Sequence, residues 1–178
     1  MSRYKRKPLF ATIFLVLITT TAIVVTFMIS TSTTTRQLFA GEAMPVALIA
    51  DPKNTKQVQQ GEKVYVRFCS LCHGRNLEGQ ADWRIRKPDG KLPAPPHDEN
   101  GHTWHHPDQV LFDITKFGLV PPNAPENYQT DMPAWKDTLS DEDIWAVLAY
   151  IKSRWPAKTL EIQTDLNEKA KAAAASNK

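Results

Sequence analysis

Two thiols and an imidazole stand together at Cys69-Ser70-Leu71-Cys72-His73, and these are the only cysteines in the chain. Thiols three positions apart with a His directly after the second form the attachment signature of c-type haem. Each sulfur adds to one vinyl group, and the neighbouring imidazole binds iron from below the ring. Other chemistry uses the same atoms. As the sole pair, the two cysteines could close a structural disulfide. A redox dithiol wants a βαβ surround and a CxxC that opens a helix; here the pair closes a helical pattern, and no alternating strand pattern precedes it. A Cys2His2 zinc site would draw on His102 and His106, four apart. The stretch from Cys72 to His102 is about twice the usual finger loop of roughly 12–15 residues, and zinc has no use for His73. Covalent haem is the reading the spacing favours, with zinc and the disulfide as alternatives.

The group opposite His73 decides between carrier and catalyst. Of the four methionines, Met1 is terminal, Met28 lies in an apolar span and Met44 in a polar tether, which leaves Met132. Pro133 follows it, removing a backbone donor and fixing φ, so the loop can hold a thioether still. A soft thioether favours ferrous iron, raises the potential and closes the site to substrate. The rival is a second imidazole from His97, His102, His105 or His106, giving iron of lower potential. Trp104 and Trp135 lie in the loops that must wrap the cofactor, where an indole N–H suits a propionate or ordinary packing.

The elements that position these groups read in order. Leu9 to Ser30 contains no charged residue. As a helix it reaches roughly 33 Å, one hydrocarbon thickness. Its length favours an uncleaved anchor over a signal peptide, whose apolar region is about 7–15 residues. Arg3, Lys5, Arg6 and Lys7 precede the span and only Arg36 follows closely, which predicts a cytoplasmic N-terminus and an exported remainder. Removing those five residues from the 22 Lys+Arg leaves 17 against 19 Asp+Glu, a formal −2. No basic surface for nucleic acid survives that subtraction. Residues 31–50 read as a polar tether. A helix then starts at Asp51 or Asn54 and carries Val58, Gly61, Val64, Tyr65 and Phe68 on one face. Gly61 implies either a close helix crossing or a helix that starts only after it. From Gly74 to Gly101 the Pro and Gly content predicts irregular chain, long enough to need a filling group. His106-Pro107-Asp108 opens a short helix through about Lys116, with His106 as its expected cap, and Gly118 ends it. Ser140 caps the strongest helix, acidic in its first turn, with Ile144, Val147, Leu148 and Ile151 as its apolar stripe. Pro156 ends it. The alanine-rich tail from Ala157 has little apolar surface with which to dock.

With CxxCH, a later Met-Pro in a loop and a final amphipathic helix, residues 54–156 resemble the class I cytochrome c family. The resemblance implies an all-α fold around one covalent haem c per chain. In that family the helix leading into CxxCH crosses the last helix, a Gly and an aromatic meeting an aliphatic and an aromatic. Gly61 and Tyr65 match the first pair, Val147 and Tyr150 the second. The resemblance places the proximal ligand on His73 and the distal one on Met132, with a Pro95 or Pro96 carbonyl supporting the proximal imidazole. An aliphatic residue usual after that Pro is replaced by His97. The segment Gly101 to His106 (GHTWHH) is not part of the general pattern, though it is familiar from membrane-anchored bacterial monohaem cytochromes. The resulting expectation is a signal-anchor helix at 1–30, a tether at 31–50, a cytochrome domain at 51–156 and a polar tail at 157–178. The expected role is that of a one-electron carrier on the extracytoplasmic, periplasmic side of the membrane, serving redox proteins there. The alternatives are a haem subunit of a larger membrane oxidoreductase, and an open-site sensor or peroxidase.

Overall fold

The computed structural model describes residues 49–176. The apolar span Leu9–Ser30 and the tether up to residue 48 lie outside the described residues. Among those described there is no strand, and no helix is long and apolar enough to cross a membrane.

Helix α1 (Thr55–Val64) starts at Asn54, whose side-chain oxygen accepts the Gln57 N–H at 3.2 Å. Asp51, the other expected cap, instead donates its N–H to Gln57 Oε1 at 2.9 Å, which ties the entering chain to the first turn. Gly61 is internal to the helix, so the helix does not wait for it. A Cβ here would run into the carbonyl oxygen of Ala146, and this is where α1 crosses the last core helix. The chain then widens into a π-helical turn, Tyr65–Cys69, with the Ser70 N–H reaching back to Tyr65 O. One extra residue in a turn rotates the next segment by about 100° relative to an unbroken helix. The short α2 (Ser70–His73) ends at Gly74.

Residues 74–101 are irregular, as their composition predicts. They fold back on α2 through Gly79 N–H to His73 O at 2.8 Å and His97 N–H to Leu77 O at 2.7 Å. Gly79 has φ +69°, and a Cβ there would strike the Pro95–Pro96 backbone. That position needs glycine for both reasons. A 3-10 turn, Thr103–His105, leads into α3 (Asp108–Phe117), which begins with Pro107 at its cap and stops at Gly118. His106, expected at that cap, closes the 3-10 turn instead.

Helix α4 (Asp141–Ser153) is capped by Ser140 Oγ accepting the Asp143 N–H at 3.2 Å. The apolar stripe predicts one buried face, yet every residue from Ile144 to Lys152 is buried. Helix α1 covers one flank, where the Tyr65 and Tyr150 rings meet at 5.3 Å. Helix α3 covers another, with Phe112 and Trp145 stacked at 4.5 Å. The tail is helical as α5 (Ala157–Ser176), and it docks on the 3-10 turn and the start of α3. It docks with polar atoms: Gln163, fully buried, donates to Asp108 Oδ1 at 2.6 Å, and Asn167 Oδ1 accepts the Asp108 N–H at 2.7 Å. Lys152 completes the knot, donating to both Asp108 carboxylate oxygens at 2.9 and 2.7 Å. Counting apolar residues could not foresee a helix held by hydrogen bonds.

Candidate haem site

The π-helical turn ends on Cys69, and α2 carries Cys72 and ends on His73, which is buried. Neither cysteine is in a disulfide. Burial, with Cys72 adding to it, pushes the Cys69 thiol up to about 12. A thiol that burial keeps protonated is a poor redox nucleophile. A thioether carries no charge to bury, so the site suits alkylated sulfur. Nor do the described residues bring three His, Cys, Asp or Glu side chains into a metal-binding group.

His73 Nδ1 lies 2.9 Å from the Pro95 carbonyl. A carbonyl only accepts, so Nδ1 carries the proton and Nε2 keeps its lone pair. Burial holds this imidazole below its ordinary range, with the Pro95 hydrogen bond opposing in part. Of the two prolines left open by the sequence, Pro95 provides the support. Beneath the ring, Tyr65 donates its hydroxyl to Gly74 O at 2.9 Å and approaches His73 O at 3.3 Å. That hydroxyl is wholly buried, and desolvation raises its pKa far above the usual phenol range.

Met132 sits in the loop between α3 and α4, half-buried, its N–H donating to Thr130 Oγ1 at 3.0 Å. Two anchors place this loop beside the CxxCH segment and its supporting proline loop. Trp135 packs edge-on against Phe68, the residue before Cys69, at 5.5 Å. Asp131 is paired with Lys87, at 2.9 Å, and with Lys91. The loop is also tied to the end of α3 by Trp135 N–H to Thr115 O at 3.1 Å.

Each of the rival histidines packs against another ring. His97 stacks on His73 itself, ring centroids 4.0 Å apart. His102 stacks on Trp83 at 5.3 Å and meets His106 edge-on at 5.6 Å, while His105 lies on Trp104 at 3.7 Å. The Trp104 indole N–H donates to Glu99 O at 3.2 Å, which commits it to the loop's own backbone. Two residues not singled out from the sequence matter here. Trp155 donates its indole N–H to His97 O at 2.7 Å, and Thr103 Oγ1 lies 2.8 Å from His97 Nδ1. Trp155 immediately precedes the helix-stopping Pro156, and Thr103 is the one hydroxyl in the histidine-rich segment; those were the available signals.

The donor set therefore fits a covalent haem: two free cysteine sulfurs three positions apart, an imidazole with a fixed tautomer, and a methionine loop clamped to the same neighbourhood. Comparison with curated proteins and with solved structures finds no match. Residues 56–151 match the family model described as "Cytochrome C oxidase, cbb3-type, subunit III". The chain belongs to that family of class I c-type cytochrome domains, whose cofactor is covalently bound haem c.

Proposed function

We propose that the chain is a membrane-anchored one-electron carrier, with Cys69 and Cys72 as the attachment points and His73 and Met132 as the axial ligands. The bound iron supplies a single ferric/ferrous couple. The observation that carries the reading is the hydrogen bond from His73 Nδ1 to Pro95 O at 2.9 Å. Such a support fixes a ligand's tautomer and orientation and raises its basicity. As the second ligand, the Met132 thioether would favour the reduced state and would close the iron to substrate. Pro133 and the Asp131 pairing with Lys87 and Lys91 steady the loop that presents it. Accordingly, the reduced protein is expected to leave carbon monoxide unbound, whereas Met132→Ala binds it and shows a lower potential. Ready carbon monoxide binding by the unmodified protein would favour the open-site sensor or peroxidase reading instead.

A second reading is favoured by the family, whose description is that of an oxidase subunit: electron transfer inside a fixed membrane oxidase complex. Either role places the haem domain on the extracytoplasmic side, tethered through Leu9–Ser30. The chain is then expected to stay with membranes through a carbonate wash. Extracted in mild detergent, it should migrate alone if it is a carrier and with an oxidase if it is a subunit. Recovery of the chain in the carbonate supernatant would end the anchor reading.

A further inference from the structure

His97 stands two residues after Pro95, where the cytochrome c resemblance leads one to expect an aliphatic side chain. Its ring lies on the His73 ring with centroids 4.0 Å apart and 21° between the planes. Three separate parts of the chain hold it there. Thr103 Oγ1, in the 3-10 turn, lies 2.8 Å from its Nδ1. Its N–H donates to Leu77 O at 2.7 Å, and its carbonyl accepts the Trp155 indole N–H at 2.7 Å. Tyr65 closes the remaining side, edge-on at 6.4 Å. The turn bearing Thr103 is itself supported by α5, through Gln163 donating to His106 O at 3.3 Å.

A leucine would fill similar space but offers no flat face and no hydrogen bond. Volume alone does not account for Thr103. The hydrogen bond to Pro95 O acts at one edge of the His73 ring and leaves its face without support. A flat neighbour held in a stack restrains that face, and with it the tilt of the ring plane. We propose that His97 is a positioning residue for His73, and that Thr103 in turn positions His97, so the plane of the proximal imidazole is set by a hydrogen-bonded stack. The proposal rests on the reading of His73 as the proximal ligand. Partners of this kind outside the ligand shell are worth roughly 10–100-fold in the function of a metal site.

The test uses the full chain matured with haem, and reads the low-spin ferric EPR g-values and the haem methyl shifts by NMR. Both report the plane of an axial imidazole, and neither responds to a small loss of stability. His97→Leu is expected to change the g-values and reorder the methyl shifts while haem content and methionine ligation persist. Thr103→Val should move the same quantities in the same direction by less, and Thr103→Ser should restore them. Should His97→Leu fail to fold, the Thr103 pair decides. Unmodified g-values and methyl order in His97→Leu and Thr103→Val, with haem intact, overturn the positioning role alone. A His73→Ala protein with an unaltered spectrum overturns the ligand assignment itself, and the positioning role with it.

Discussion

Replacing Lys152 with Met is expected to cost about 3 kcal/mol of stability, the low end of the range for removing one member of a buried ion pair. Lys152 is only 6 % exposed, and its ammonium is the counter-charge to Asp108, which it meets at both oxygens. Without it, a carboxylate remains among Gln163, Asn167 and the start of α3, with hydrogen bonds but no opposing charge. Denaturant midpoints of the haem-loaded protein measure the loss. Adding Asp108→Asn to Lys152→Met should recover part of it, because the orphaned charge is gone while the amide oxygen still accepts from Gln163. Limited proteolysis should find α5 cut earlier in the single variant than in the unmodified chain. A loss under about 1 kcal/mol, the size expected of an exposed pair, would mean that water reaches the two charges more freely than their burial indicates.

Gly61→Ala is expected to destabilise by about 2 kcal/mol, within the range for overpacking, although alanine is the better helix former. Propensity alone would stabilise by about 1 kcal/mol. Against it stands a new Cβ placed on the Ala146 carbonyl and 2.9 Å from the Tyr150 Cβ. The nearest obstacle is backbone in the middle of α4, which cannot move without shifting the core, and overpacking of this kind typically costs about 1–3 kcal/mol. The crossing must open, and Tyr65 is next to the end of the same helix. Its hydroxyl contacts with Gly74 and His73 should loosen, so the haem site registers a change made one helix turn away. A stabilised Gly61→Ala protein would show that the crossing is less tight than the backbone contact implies.

What could be read from the sequence was mostly local. Cys69, Cys72 and His73 form a pattern whose chemistry needs adjacency, so spacing alone pointed to haem. Ser140 and Asn54 cap helices with their own side chains, which is a short-range interaction, and Gly61 marked a crossing because a helix tolerates glycine only for a reason. The π-helical turn at Tyr65–Cys69 was not legible, since nothing in YVRFC departs from an ordinary helical pattern. The choice of Pro95 over Pro96 depends on how the irregular chain folds over Gly79. The docking of α5 depends on four polar residues from three helices, and periodicity registers apolar faces only. Thr103 and Trp155 were missed because each acts through His97, a residue noticed only as an exception to a pattern.

The most direct test of the central assignment is the weak near-red absorption of the oxidised protein, the charge-transfer band of sulfur bound to ferric haem. The unmodified protein is expected to show this band, Met132→Ala to abolish it, and His102, His105 or His106 substitutions to leave it in place. A spectrum unaltered by Met132→Ala but changed by one of those histidine substitutions would contradict the assignment, and would make the centre a bis-imidazole haem of lower potential.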